Sequence, residues 1–173
     1  YTDWSNNFIG YDMGQYTSSE AIVDYLLEHQ ICGLARNRAE FGPRALGNRS
    51  ILFDPRRPDG KDFVNLVKRR EWFRPFAGSC LEEHADEWFD MAGLTSSPFM
   101  MYAVDVNPDK VDIIPAVTHV DNTCRVQTVN QEQNPHYYNL IKAFYDKTGV
   151  PLVFNTSFNL AGEPLVESLF DAI

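Results

Sequence analysis

Cysteine is scarce in this sequence: Cys32, Cys80 and Cys124 are three among 173 residues. Their odd number and wide spacing fit neither a disulfide framework nor a zinc pattern, so they are expected to be buried, reduced thiols of a cytoplasmic protein. Long apolar runs are missing too. The longest candidates, Pro98–Val104 and Val150–Phe154, are strand length, whereas a membrane span needs roughly 18 residues. No signal peptide or lipidation motif is visible, and no membrane partner is expected. Basic charge is in deficit, with 15 Lys and Arg against 24 Asp and Glu and a net charge of −9. Apolar residues make up 44% and charged residues 23%, which excludes disordered and collagen-like chains and leaves one globular domain. The sequence opens without Met and stops at Asp171-Ala172-Ile173, inside an expected helix, so an excised piece of a longer protein is expected.

What basic charge there is lies together. Arg36 to Arg74 holds eleven basic residues against five acidic ones, a local charge of +6, so the remainder carries −15. General nucleic-acid binding spreads cations over a whole face, and no nucleic-acid partner is expected. One concentrated basic segment suits a small, highly charged anion; a solvated Arg-rich surface is the plainer alternative.

Helices and strands alternate along the chain. Thr17 with Glu20 forms a capping box ahead of a helix running to about Gln30. Ile31–Arg36 and Ser50–Asp54 are expected strands around a loop, 37–48, with at most one helical turn at Arg44–Leu46. Asp59 is expected to cap a helix, Gly60–Arg70, with Phe63, Val64, Leu66 and Val67 facing inward. Strands follow at Gly78–Leu81, Phe99–Val106 and Thr123–Val129. Asn134-Pro135 starts a helix with the buried stripe Tyr137, Leu140, Ile141 and Phe144, ended by Gly149. Pro151–Phe154 is a buried strand leading into a polar elbow, Asn155–Asn159. The class is α/β or α+β around one mixed sheet.

Four stretches could carry chemistry. In Arg38–Ser50, Gly42 and Gly47 permit close backbone approach, and Arg44 and Arg49 offer planar forks for phosphate or carboxylate. The Gly42/Gly47 spacing fails as a P-loop because Asn48-Arg49 replaces Lys-Ser/Thr. A structural turn held by an Arg44–Glu40 or Arg49–Asp54 pair stays open. Lys68, Arg69 and Arg70 suit a helix C-terminus, yet Trp72, Phe73, Arg74 and Phe76 set charges beside low-dielectric walls. Asn155, Thr156, Ser157 and Asn159 follow a buried strand, where α/β sheets bind ligands and where turn chemistry also selects such residues. His119 and Asp121 lack a third ligand, so a structural His is expected and no protein-held metal. Arg125 is an isolated cation that a sheet face has to justify.

Read together, RAEFGPRALGNRSIL (Arg38–Leu52), VNLVKRREWFRPFA (Val64–Ala77), IPAVTHVDNTCRVQTV (Ile114–Val129) and TGVPLVFNTSFNLAGEPLV (Thr148–Val166) resemble the C-terminal domain of the carbamoyltransferase family that includes NodU, CmcH and TobZ. Asn37, Gly78 and Asn122 depart from the usual residues. The resemblance implies a YrdC-like twisted mixed sheet flanked by helices, one domain over residues 1–173, with an actin-like domain missing upstream. It implies a transferase domain that binds carbamoyl phosphate and ATP and forms carbamoyl-adenylate, which the missing domain passes to a hydroxyl acceptor. Lys68, Arg70 and Arg74 are then the catalytic cations. Arg44, Arg49, Arg125, Asn155, Thr156, Ser157 and Asn159 bind substrate, and Mg²⁺ enters with ATP. Lys68-Arg69-Arg70 and Ser157-Phe158-Asn159 match the K-x-R and S-x-N signature of tRNA threonylcarbamoyl-adenylate synthases. Such a synthase, or a nucleotide- or RNA-binding YrdC-like module, is the alternative.

Overall fold

The central strands carry so little exposed surface that the sheet must be covered on both faces. In the computed structural model, which describes residues 7–9 and 13–172, β4 (Arg49–Phe53) and β5 (Ala77–Leu81) are buried at every position. The other strands are β1 (Asn7–Ile9), β2 (Met13–Tyr16), β3 (Ile31–Ala35), β6 (Phe89–Asp90), β7 (Ala103–Val106), β8 (Thr123–Val129) and β9 (Leu152–Ser157). They form one nine-stranded sheet in the order β2-β1-β3-β4-β9-β5-β8-β7-β6. Among the described residues only β5 and β8 run parallel, and every other pair is antiparallel. This is the mixed sheet with flanking helices that the sequence led us to expect.

Helices α1 (Ser19–His29) and α4 (Pro135–Thr148) pack on each other, and α4 lies on β5 and β9. The α4 expectations hold in detail. The Asn134 side chain accepts from Tyr137 N–H, Pro135 sits at the first position, and Gly149 closes the helix with φ of 73°. Tyr137, Leu140, Ile141 and Phe144 are all buried. The three cysteines are buried and free, and burial pushes Cys32 and Cys124 up to about 12, which makes them inert. No helix among the described residues is long and apolar enough to cross a membrane.

Helix α2 (Gly60–Val67) covers the opposite face, where Phe53, Phe76 and Phe154 meet with ring centroids 5.7 and 4.4 Å apart. Here the sequence expectation needs correcting. Val64 points inward, but Phe63 and Val67 are half exposed and Leu66 is 77% exposed. Gly60 sets the orientation: a Cβ there would lie 2.6 Å from the Phe53 ring and 2.8 Å from Ala116. That seats Gly60, Val64 and Lys68, spaced one turn apart, against the sheet. The helix ends before Arg70 because Arg69 adopts a left-handed φ of 53°. Asp59 pairs with Arg57 at 2.7 Å and makes no side-chain cap.

Smaller differences have equally local causes. Ser18, not Thr17, caps α1 by accepting from Ala21 N–H. The strand expected from Phe99 begins only at Ala103, since Met100 takes φ of 54° and breaks the extension. Residues 44–46 make no helical turn. The last strand runs on to Ser157, so Asn155, Thr156 and Ser157 of the expected elbow are sheet.

Gly47 fixes the loop between β3 and β4 against α4. It has φ of 109°, and a Cβ would fall 2.4 Å from the Tyr137 ring. Gly42, at φ of 140°, has open space around it. We expect Gly47→Ala to lower unfolding free energy by about 2–4 kcal/mol, combining backbone strain with overpacking. Gly42→Ala should cost about 1–2 kcal/mol from strain alone. Urea midpoints of the two variants measure this, and equal losses would refute the Tyr137 contact.

Candidate functional site

The loop from 37 to 48 is held from within by a carboxylate. Glu40 Oε1 accepts from the backbone N–H groups of Leu46 and Asn48 at 2.7 Å each and of Arg49 at 3.4 Å. Neither ion pair considered from the sequence forms, because Glu40 serves these amides and Asp54 binds Arg56 at 2.6 Å. Arg36, buried, donates to Gly47 O and to Asn134 Oδ1. Arg49 donates to the carbonyls of Arg36, Asn48, Asn37 and Glu167. Its terminal donors are thereby committed to backbone, so Arg49 ties the loop ends together and is not an open fork.

A second network fastens the loop to the sheet. Gln127 Nε2 donates to Leu46 O at 3.1 Å, and Asn155 Nδ2 donates to Ala45 O at 3.2 Å and to Ser79 Oγ at 2.9 Å. Ser79 Oγ in turn donates to Gln127 Oε1 at 2.7 Å. Asn155 is 1% exposed, so it acts as a buried strut rather than an open ligand group. Thr156 pairs with Ile51 and points to the opposite face from Asn155 and Ser157, so the strand keeps it apart from them.

The outer part of the elbow surrounds Lys68. At 3% exposure, Lys68 Nζ donates to the carbonyls of Ser157 and Asn159, to Ser157 Oγ at 3.3 Å and to Asn159 Oδ1 at 3.0 Å. All four acceptors are neutral. Burial, and then the neighbouring Arg70 charge, bring its pKa down to about 8.

From Lys68 the positive charge continues unbroken. Arg70 lies 4.1 Å above the Phe76 ring, and burial, with repulsion from Arg74 and Arg125, lowers it to about 10. Arg125 is lowered by burial and then by Arg44. The Nε atoms of Arg44 and Arg125 are buried without a hydrogen-bond partner, as is Asn155 Oδ1. Of these rim cations Arg74 forms an ion pair, with Glu71 at 2.7 Å, both are solvent-exposed, and Glu71 also acts on Arg70. The sheet explains the gathering: Ala77 at the start of β5 is opposite both Asn155 of β9 and Arg125 of β8. Strand ends from distant parts of the chain therefore meet at one rim.

His119 is structural as expected, with Nε2 at 2.9 Å from Phe76 O and Nδ1 at 3.0 Å from Thr123 Oγ1. Three residues were missed: Asn65, which is 1% exposed, Gln127 and Ser79. Gln127 lies two residues from Arg125 and so on its face of the strand, which was a usable signal. Asn65, inside an expected apolar face, gave none.

Fold and rim together define an α/β domain that gathers cationic side chains at one edge of its mixed sheet. Residues 23–173 match the family described as carbamoyltransferase C-terminus. The chain is 47% identical over 157 residues to nodulation protein NolO of Bradyrhizobium diazoefficiens, covering 90% of this chain and 29% of that protein. It is 48% identical over 153 residues to nodulation protein NolNO of Sinorhizobium fredii, covering 87% and 22%. Against nodulation protein U of Rhizobium tropici it is 44% identical over 125 residues, covering 72% and 21%. The chain belongs to the carbamoyltransferase C-terminus family and spans less than a third of the length of these relatives.

Lys68 gives this rim a pH signature. Folding lowers its pKa from the ordinary 10.5 to about 8, so between those values the unfolded chain holds more protons than the folded one. The Lys68 contribution to stability therefore rises with pH from about 8 to 10.5. Urea unfolding of the unliganded protein across that window, compared with Lys68→Met, should show a steeper rise for the wild type. Parallel pH dependences would contradict the desolvated ammonium.

Proposed function

We propose that this domain binds carbamoyl phosphate and ATP on the cationic rim and joins the carbamoyl group to AMP. The observation that carries the reading is the gathering of Lys68, Arg70, Arg125 and Arg44 at one rim, where the Nε atoms of Arg44 and Arg125 are buried without a partner and Glu71 is the one carboxylate acting on Arg70. A folded protein keeps such a cluster where an anion completes it. At an effective dielectric near 20, one phosphate charge about 4 Å from a cation gains roughly 4 kcal/mol before desolvation.

The atom balance constrains the chemistry. Carbamoyl phosphate and ATP give carbamoyl-adenylate and pyrophosphate only if water first displaces orthophosphate, leaving carbamate. A carbamate oxygen then attacks the α-phosphorus as the bond to the bridging oxygen of pyrophosphate breaks. Arg70 and Arg74 face the oxygens around the α-phosphorus, Lys68 adds its charge from within its cage of protein oxygens, and Arg44 and Arg125 hold the carbamoyl phosphate and the departing pyrophosphate. Ser157 and Asn159 act by holding Lys68, and Arg49 and Asn155 by shaping the loop. No group of three or more His, Cys, Asp or Glu gathers among the described residues, and Mg²⁺ enters with ATP on its phosphates. Transfer to a hydroxyl acceptor falls to the part of the longer polypeptide that this chain does not include.

The test is product stoichiometry in the full-length protein. Pyrophosphate and orthophosphate should appear in equal amounts, and only when carbamoyl phosphate and ATP are both present. Arg125→Gln and Arg44→Gln should each lower kcat/KM about 10- to 100-fold, the scale of a hydrogen bond to a charged group. Pyrophosphate release that ignores carbamoyl phosphate, or full activity in both variants, would overturn the reading.

A further inference from the structure

A guanidinium among like charges leaves for solvent unless something holds it. Arg70 is repelled by Arg74 and Arg125 more than Glu71 attracts it, and a further cation, Lys68, lies close by. The side chain nonetheless lies flat on Phe76, away from the water that a long, flexible arginine would otherwise seek. We infer that Asn65 is the positioning residue that holds Arg70 toward the anion. This rests on the reading of the rim as an anion site and assigns a residue to it that touches no anion itself.

The geometry is specific. Asn65 Oδ1 accepts from Arg70 Nε at 2.6 Å, and its backbone carbonyl accepts from Arg70 N–H at 3.1 Å. Asn65 Nδ2 donates to Trp72 O at 3.0 Å and to Arg74 O at 3.1 Å. One buried amide therefore fixes the inner edge of the guanidinium and the path of the segment carrying Arg74. Phe76 fixes the plane of the guanidinium. Its terminal edge keeps only one long contact, from Nη2 to Pro75 O at 3.4 Å, and stays available to a ligand. Arg69 contributes by its left-handed φ of 53°, which turns the chain so that Arg70 N–H reaches back to Asn65 O. Asparagine suits the position because it accepts from a cation and donates to two carbonyls while neutral. A carboxylate there would cancel the Arg70 charge that the site uses.

The experiment is a double-mutant cycle in the full-length protein, with pyrophosphate as the probe. Arg70→Gln should raise its Kd at least tenfold, and Asn65→Ala nearly as much. The double variant should be no weaker than Arg70→Gln alone, because Asn65 acts through Arg70. Should Asn65→Ala fail to fold, Asn65→Ser takes its place in the cycle. In ¹⁵N-arginine-labelled protein, the Nε–H resonance of Arg70, identified by its loss in Arg70→Gln, should exchange slowly with water. It should exchange fast in the Asn65 variant. Multiplicative losses in the cycle, or slow exchange that survives loss of Asn65, would overturn the positioning role and leave the anion site standing. If Arg70→Gln itself leaves pyrophosphate affinity unchanged, the anion role of Arg70 and the inference fail together.

Discussion

Repulsion among the rim cations is the constraint that the rest of this domain answers. Two like charges about 6 Å apart at an effective dielectric near 20 oppose each other by roughly 3 kcal/mol. Here Arg70 acts on Lys68, Arg74 and Arg125 act on Arg70, and Arg44 acts on Arg125. The usual remedy, an interleaved carboxylate, is supplied by Glu71 alone, which pairs with exposed Arg74 and acts on Arg70 from a distance. The fold opposes the repulsion with geometry instead. Glu40 staples the loop through its amides, Arg49 ties the loop ends, Gln127 and Asn155 hold the carbonyls of Leu46 and Ala45, and neutral oxygens hold Lys68. Every one of these tethers fixes position without cancelling a rim charge.

That solution dictates which polar groups enter the interior. Asn65, Ser79, Gln127 and Asn155 are buried where an ordinary core would place apolar side chains. Burying an amide is tolerable only when its hydrogen bonds are met, and a network left half satisfied is worse than none. Here the donors are met, and Asn155 Oδ1 is left without a partner on a strand position that shares Ala77 as its register neighbour with Arg125. The strand order makes this affordable. Running β9 antiparallel to β5, and β8 parallel to it, brings both flanking strand ends to Ala77 in one step.

The same constraint decides what could be read in the sequence. α4 was legible because its cap, its proline and its apolar stripe all serve stability and agree with one another. The rim was legible as a charge concentration, since eleven cations in so short a segment need no fold to be noticed. α2 was misread for the opposite reason. Its inward positions carry Asn65 and Lys68 for the site, which pushes Phe63, Leu66 and Val67 outward and inverts the apolar pattern that periodicity reads. Arg49 looked like a ligand fork because residue type does not reveal that backbone carbonyls will take its donors. Thr156 was grouped with its neighbours because the strand extends further than its apolar run, and alternation then separates adjacent side chains.

The choice of cation at each place follows from how desolvation acts on the two side chains. Arg70 falls only to about 10 and keeps its charge at neutral pH, even half buried against Phe76. Lys68, the most enclosed of the group, is brought down to about 8 and is the member whose charge depends on what lies beside it. An arriving anion raises that value and draws a proton, whereas the arginines gain attraction without changing protonation. Compactness explains why lysine occupies the enclosed position: a single nitrogen can face four oxygens converging from Ser157 and Asn159, which a planar fork cannot do. On the proposed reading, the rim combines permanent charges from its arginines with one charge, on Lys68, that a bound anion would complete.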